Sequence, residues 1–343
     1  MTDAWNGARV LVTGDSGFKG TWLTMWLQKL GASVVGLSLP QPDPLAIFVA
    51  LGRDAGIEHH DIDIRDAERV RELVKHAAPD FVFHLAAQAI VRRSYVEPVL
   101  TYETNVIGTA NVLEAIAATP SVSAALVITS DKVYRQDGLD RRFRETDHLG
   151  GNDPYSASKA CAELVVAEWR RRTSHVRVAT ARAGNVVGGG DRAQDRLLPD
   201  IVRSVEGGTP VVIRNPTATR PWQHAVDALA GYLALGAALR RSDELPPAMN
   251  FGPEGSASVA DVLDAFIAAL GGGEWVLEQN EQPHEDTRLA LDVDLAEEVL
   301  GWRSRVDLAT TIEWTAEWYR VQREGGDVRA ITLEQIDRYD GRP

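Results

Sequence analysis

A glycine-rich turn, Thr13-Gly14-Asp15-Ser16-Gly17-Phe18-Lys19-Gly20, constrains the fold of this chain more than any other stretch. It follows a largely apolar run at residues 9–13. It opens a segment, residues 19–30, in which Trp22, Leu23, Trp26, Leu27 and Leu30 recur at helical spacing. A strand that turns on glycines straight into a helix is the opening unit of a parallel sheet, because parallel neighbours need a crossover and a helix supplies it. The same rhythm continues through the first half. Strands are expected at residues 33–39, 81–85, 124–130 and 176–182, and helices at 66–77, 98–118 and 154–173.

The expected fold is therefore α/β, a Rossmann-type doubly wound parallel sheet with a smaller C-terminal mixed α/β substrate lobe. After Arg182 the pattern changes. Gly188-Gly189-Gly190 reads as a loop, and Pro and Gly concentrate around residues 207–221 and 246–256. The expected division is a dinucleotide-binding Rossmann domain at 1–185, to which the chain returns at about 225–250. The lobe would be residues 186–224 and 251–343.

Composition narrows the partners. The net charge of -13 lacks the basic footprint that a phosphate backbone requires, so no nucleic acid is expected. The single cysteine, Cys161, excludes an internal disulfide and cysteine-rich zinc sites, and no metal is expected. Residues 1–7 lack the basic and apolar regions of a signal peptide, and no apolar run approaches the ~20 residues of a membrane span. The expectation is a cytoplasmic protein without a membrane partner.

Glycines at this spacing allow a tight turn and close backbone approach to a pyrophosphate, while the helix N-terminus offers free N–H groups and partial positive charge. Gly14, Gly17, Phe18, Lys19 and Gly20 are the expected cofactor contacts. The second strand carries no ribose-binding acid. Asp43 and Asp63 are the candidates, and Asp63 is better placed for the adenine edge, with Ile64 packing on the ring. Leu85, Ala86 and Ala87, at the end of the strand at 81–85, would let the backbone approach the cofactor.

Tyr155 and Lys159 form a YxxxK pair near a helix start, so both side chains share one face. A free Tyr is a poor base at neutral pH, with a pKa of about 10, and a cation one turn away favours its phenolate. Lys159 would also hydrogen-bond the nicotinamide ribose. The strand before this helix ends Thr129-Ser130, which places a hydroxyl beside the tyrosine. Then come Asp131 and Lys132, two further proton-transfer groups that imply a second chemical step.

This combination resembles the extended short-chain dehydrogenase/reductase superfamily. Within it the chain is similar to the nucleotide-sugar branch of CDP-glucose 4,6-dehydratases. The resemblance runs from Arg9 to about Tyr319 through T-G-D-S-G-F-K-G at 13–20, H-L-A-A-Q at 84–88, V-R-R-S-Y at 91–95, T-S-D-K-V-Y at 129–134 and D-P-Y-S-A-S-K at 153–159. It continues through G-N-V-V-G-G-G-D at 184–191, D-R-L-L-P-D at 195–200 and R-N-P-T-A-T-R-P-W-Q-H at 214–224. Arg192 stands where the branch usually has Trp.

The resemblance implies NAD as cofactor, held partly by Thr129, Tyr155 and Lys159, and an internal redox dehydration. Tyr155 and Ser130 would handle the sugar 4-hydroxyl. Lys132 would take the carbon 5 proton, and Asp131 would protonate the departing 6-hydroxyl. The division of the last two roles stays open, because an Asp131 that tightly neutralised Lys132 would keep the amine charged. Substrate contacts are expected from Asn185, Arg196, Arg214, Arg220 and His284, with Trp222 and His224 as packing residues that position Arg220. A nucleotide-sugar 4-epimerase, or a dehydratase of another nucleotide or heptose, is the rival. A homodimer or higher homo-oligomer through helices 98–118 and 154–173 is implied as well.

Overall fold

The computed structural model describes residues 2–52, 56–136, 138, 141–242, 244–278 and 289–341. Its centre is one seven-stranded sheet, parallel throughout. In chain order the first six strands are β1 (Arg9–Thr13), β2 (Ser33–Ser38), β3 (Glu58–Asp61), β4 (Phe81–His84), β5 (Ala124–Ile128) and β6 (Arg177–Ala183). The seventh is Ala248–Phe251. Across the sheet the order is Ala248–Phe251, β6, β5, β4, β1, β2, β3.

Order reverses between β1 and β4, the switch point beyond whose carboxyl ends open sheets bind ligands. The inner strands are largely apolar and buried because helices cover both faces. All five residues of β5 are buried. The edge strand β3, Glu58-His59-His60-Asp61, contains no apolar residue at all.

One crossover helix differs from the sequence expectation. Residues 98–118 are helical, but as Pro98–Tyr102, a wide π turn at Glu103–Ile107, and Gly108–Ala117. Such a turn inserts an extra residue into the ladder. Here it turns Asn105 inward, where its amide donates to Gln88 O at 2.9 Å and to Ser158 Oγ at 2.8 Å.

At the C-terminus, helix Val328–Asp340 packs on helices Leu308–Arg323, Phe18–Lys29 and Ala225–Leu239, and Lys29 pairs with Asp337 at 2.6 Å. Helix Ala225–Leu239 is buried around almost its full circumference. It needs cover on its far side, which this helix provides. The chain returns to the sheet at Ala248–Phe251, which pairs with β6.

Candidate active site

Beyond the carboxyl ends of β1, β4, β5 and β6 lies a cleft of about 350 Å³. From the glycine turn, Phe18 and Lys19 line it. Gly14 has φ 78°, and a Cβ there would stand 2.8 Å from Ala86 N, so only glycine lets the turn meet the Leu85-Ala86 backbone. A Cβ at Gly20 would lie 2.0 Å from Gly14 O, which fixes how closely the helix sits on the turn. Helix Phe18–Lys29 starts at Gly17 with no side-chain cap among the described residues. Its first amides are therefore open to an anion, and these residues fit a dinucleotide pyrophosphate.

The catalytic helix, Pro154–Arg172, is set by its own start. Asp153 Oδ1 accepts from Ser156 N at 2.9 Å and Oδ2 from Ser156 Oγ at 2.5 Å, a cap worth about 0.5–2 kcal/mol. Pro154 supplies the preformed first turn. Tyr155 N–H donates to Ser94 Oγ at 3.1 Å, and Asn105 holds Ser158 from the other side. Tyr155, Lys159, Ser130, Asp131 and Lys132 all line the one cleft.

Burial pushes the Tyr155 phenol upward in pKa, while a hydrogen bond with Ser130 and the charge of Arg196 pull it down. The sequence assigned that second influence to Lys159. Instead the Lys159 ammonium donates to Ile128 O at 3.0 Å. Burial brings it down to about 8 against the opposing charge of Glu163, one turn further on. Lys19 also enters the cleft and is lowered to about 7 by burial and by the charges of Arg196 and Lys159. His84, between Thr13 Oγ1 at 2.7 Å and Thr109 Oγ1 at 3.0 Å, is brought to about 3 by burial and stays neutral.

Asp131 is 3% exposed. Its Oδ1 accepts from Ser130 Oγ at 3.1 Å, and its Oδ2 is buried without a hydrogen-bond partner among the described residues. Burial raises its pKa; Lys132, Ser130 and the buried Arg220 oppose that shift. The carboxyl is thus biased toward its protonated form, and its second oxygen is not tied up by the neighbouring amine.

The remaining expected contacts divide. Asn185, Arg196, Arg214 and Arg220 line the cleft, together with Phe18, Leu85 and Ala87. Arg196 is held by Asp191 at 2.8 Å. Trp222 and His224 pack as expected: the indole of Trp222 donates to Ala257 O at 3.1 Å, and His224 meets Trp22 and Trp314 edge-on. Thr129 lines the cleft too, and its hydroxyl donates to Glu163 at 2.5 Å, inside a buried set that includes Arg182.

Asp63 is engaged by Arg65 at 2.6 Å, and Ile64 is buried against Gly108. Asp43 caps Leu45 N at 2.8 Å and faces Arg192. His284 lies outside the described residues. The sequence reading missed Asn105, Glu163, Asp191 and Asp195. Asn105 and Glu163 act on residues distant in the chain, whereas Asp191 holds Arg196 five residues on and lies, like Asp195, in a motif whose acid was given no role.

Residues 10–274 match the family model described as "NAD dependent epimerase/dehydratase family". A CDP-glucose 4,6-dehydratase of Salmonella typhimurium is 40% identical over 98% of this chain and 97% of its own length. Among solved structures, the dTDP-glucose 4,6-dehydratase of Streptomyces venezuelae with NAD bound is 25% identical, with TM-score 0.80, over 94% of this chain and 99% of that one. A UDP-glucose 4-epimerase of Thermus thermophilus in complex with NAD is 26% identical, with TM-score 0.78, over 91% of this chain and 99% of that one. Backbone shape is therefore common to dehydratases and epimerases. The side chains in the cleft must separate them.

Proposed function

The chain belongs to the NAD dependent epimerase/dehydratase family, and from that premise we infer that it is a nucleotide-sugar 4,6-dehydratase, a hydro-lyase, with CDP-glucose as substrate. NAD is the cofactor, and the turn at Gly14, Gly17 and Gly20, with Phe18 and Lys19, is the part of the chain that would hold it. One observation carries the choice over epimerase. A buried carboxyl with an oxygen left to donate from, Asp131, and an amine, Lys132, share the cleft with Tyr155 and Ser130. Oxidation of an alcohol alone needs neither.

The chemistry that NAD supplies when bound is reversible acceptance of a hydride. The chain supplies the rest. Tyr155 takes the proton of the 4-hydroxyl, with Ser130 hydrogen-bonded to the same oxygen as it becomes a ketone. That ketone acidifies carbon 5, and Lys132 removes its proton. Asp131, favoured in its acid form by burial, protonates the 6-hydroxyl, which leaves as water. Lys132 returns the carbon 5 proton as carbon 6 is reduced, so one water is lost and no net oxidation occurs. Arg196, Arg214 and Arg220 face the substrate's diphosphate, where guanidinium groups match phosphate geometry.

The working unit is a homodimer through the 98–117 region and helix Pro154–Arg172, where Val99, Ile107 and Leu164 are 68%, 55% and 58% exposed. Incubation with CDP-, dTDP-, UDP- and GDP-glucose followed by mass measurement tests the activity. Loss of one water from CDP-glucose is the expected result. Unchanged mass with inverted configuration at carbon 4 would make it an epimerase.

A further inference from the structure

Asp195 and Arg92 fall in two of the sequence motifs, and the mechanism uses neither residue. Asp195 Oδ1 accepts from Arg92 Nη1 at 3.1 Å and from Arg214 Nη2 at 3.4 Å. The two guanidinium groups come from opposite walls. Arg92 sits on helix Val91–Val96, which follows β4, whereas Arg214 follows the lobe strand Val211–Ile213. All three residues line the cleft.

The arrangement is not what the fold needs for stability. The side chains of Arg92, Asp195 and Arg214 are 39%, 32% and 34% exposed, and pairs so open to water add little. Yet Asp195 holds φ 60°, a left-handed conformation that a non-glycine residue adopts at a cost. Two guanidinium groups converging from separate elements on one anionic oxygen is how a phosphate oxygen is bound. Next to it, Asp191 occupies Arg196 in the same manner.

We propose that Asp195 is an internal placeholder for the substrate's diphosphate, and that Arg92 is a diphosphate ligand contributed by the Rossmann half of the cleft. The proposal rests on the nucleotide-sugar reading above. With the cleft free of anion, the carboxylate keeps both arginines converged and limits their mutual repulsion. A diphosphate offers more charge and more oxygens, so it takes both guanidinium groups and repels the carboxylate outward. The return of Asp195 then helps to expel the nucleotide product. The device also discriminates: an anion must bring enough charge to displace a carboxylate, which a monophosphate does less well than a diphosphate.

The test is calorimetric binding of CDP and of CMP to the full chain with NAD. Asp195→Asn removes the charge, keeps the shape and tolerates the left-handed backbone. It should tighten CDP about 3- to 30-fold, the scale of two partly exposed ion pairs no longer competing, and tighten CMP less. Asp195→Gly, which also relieves the backbone, should do the same and guards against a folding artefact. Arg92→Gln should weaken CDP more than CMP. Unchanged or weaker CDP binding in both Asp195 variants would overturn the placeholder role and make Asp195 an ordinary strut for the arginines. A wild-type chain that bound none of CDP, UDP, dTDP and GDP would instead overturn the functional reading, and this inference with it.

Discussion

Asp131→Asn puts activity and stability on opposite sides. The substitution is isosteric. Asn retains an oxygen to accept from Ser130 Oγ, now at 3.1 Å, and fills the same buried volume. It loses the proton that Asp131 would deliver to the departing 6-hydroxyl. A positioned acid contributes about 10² to 10⁴ in rate, so dehydration should slow by that factor. Exchange of the carbon 5 proton with solvent deuterium should persist, because Tyr155, Ser130 and Lys132 are untouched.

Stability should move the other way. Burial raises the folded pKa of Asp131 above its unfolded value. The folded state therefore holds this proton more tightly, and the group costs stability as pH rises from the ordinary carboxylate range through the raised folded pKa. At neutral pH the Asn variant escapes that cost and should have a higher Tm. Below the ordinary carboxylate range, where Asp131 is protonated in both states, the gap should close. Mass spectrometry with deuterium, and melts at the two pH values, read both effects. Dehydration within about 3-fold of wild type would refute Asp131 as the acid. A Tm that falls equally at both pH values would refute the protonated-carboxyl argument.

Lys132→Ala should abolish carbon 5 exchange along with dehydration, a loss of about 10² to 10⁴; exchange at the wild-type rate would mean that another base serves carbon 5. Tyr155→Phe should slow turnover by a comparable factor while CDP binding by calorimetry stays within about 2-fold, and near-normal turnover would remove the tyrosine from the chemistry. Leu164→Glu, on the outer face of the catalytic helix, should convert the dimer to monomer in analytical ultracentrifugation. An unchanged sedimentation coefficient would place the interface elsewhere.

What could be read from sequence was whatever is encoded over a few residues. The glycine turn and the Tyr155–Lys159 spacing are of that kind, since a turn and one helical repeat dictate where their atoms go. The limits are as physical as the successes. Strand β3 is built from Glu58-His59-His60-Asp61, and at the edge of a sheet backbone pairing alone makes it a strand. The π turn around Asn105 inserts one residue into a helix whose periodicity looks continuous. The placement of helix Val328–Asp340 depends on what the helix Ala225–Leu239 leaves uncovered, which is a tertiary fact. That the Thr129 hydroxyl meets Glu163, 34 residues on, is likewise a tertiary fact. Arg92 and Asp195 stand 103 residues apart and meet only because the cleft brings the end of β4 against the lobe.

The charge of the whole chain and the charge of the site then become compatible. A net charge of -13 repels an anionic sugar nucleotide at long range, but that repulsion is screened within about 10 Å at ordinary ionic strength. Inside the cleft the balance is local. Arg92 and Arg214 share Asp195, Arg196 is held by Asp191, and Arg220 stands close enough to Asp131 to lower its pKa. Arg92, Arg214 and Arg196 thus wait beside carboxylates that an incoming diphosphate can displace or outbid. Such pairing keeps four cations in one small volume without the mutual repulsion that would push them apart. It also makes affinity depend on the difference between phosphate and carboxylate as partners, rather than on the total positive charge. A chain built this way can be acidic overall and still bind a dianion tightly, because selectivity resides in the exchange of partners at Asp191 and Asp195.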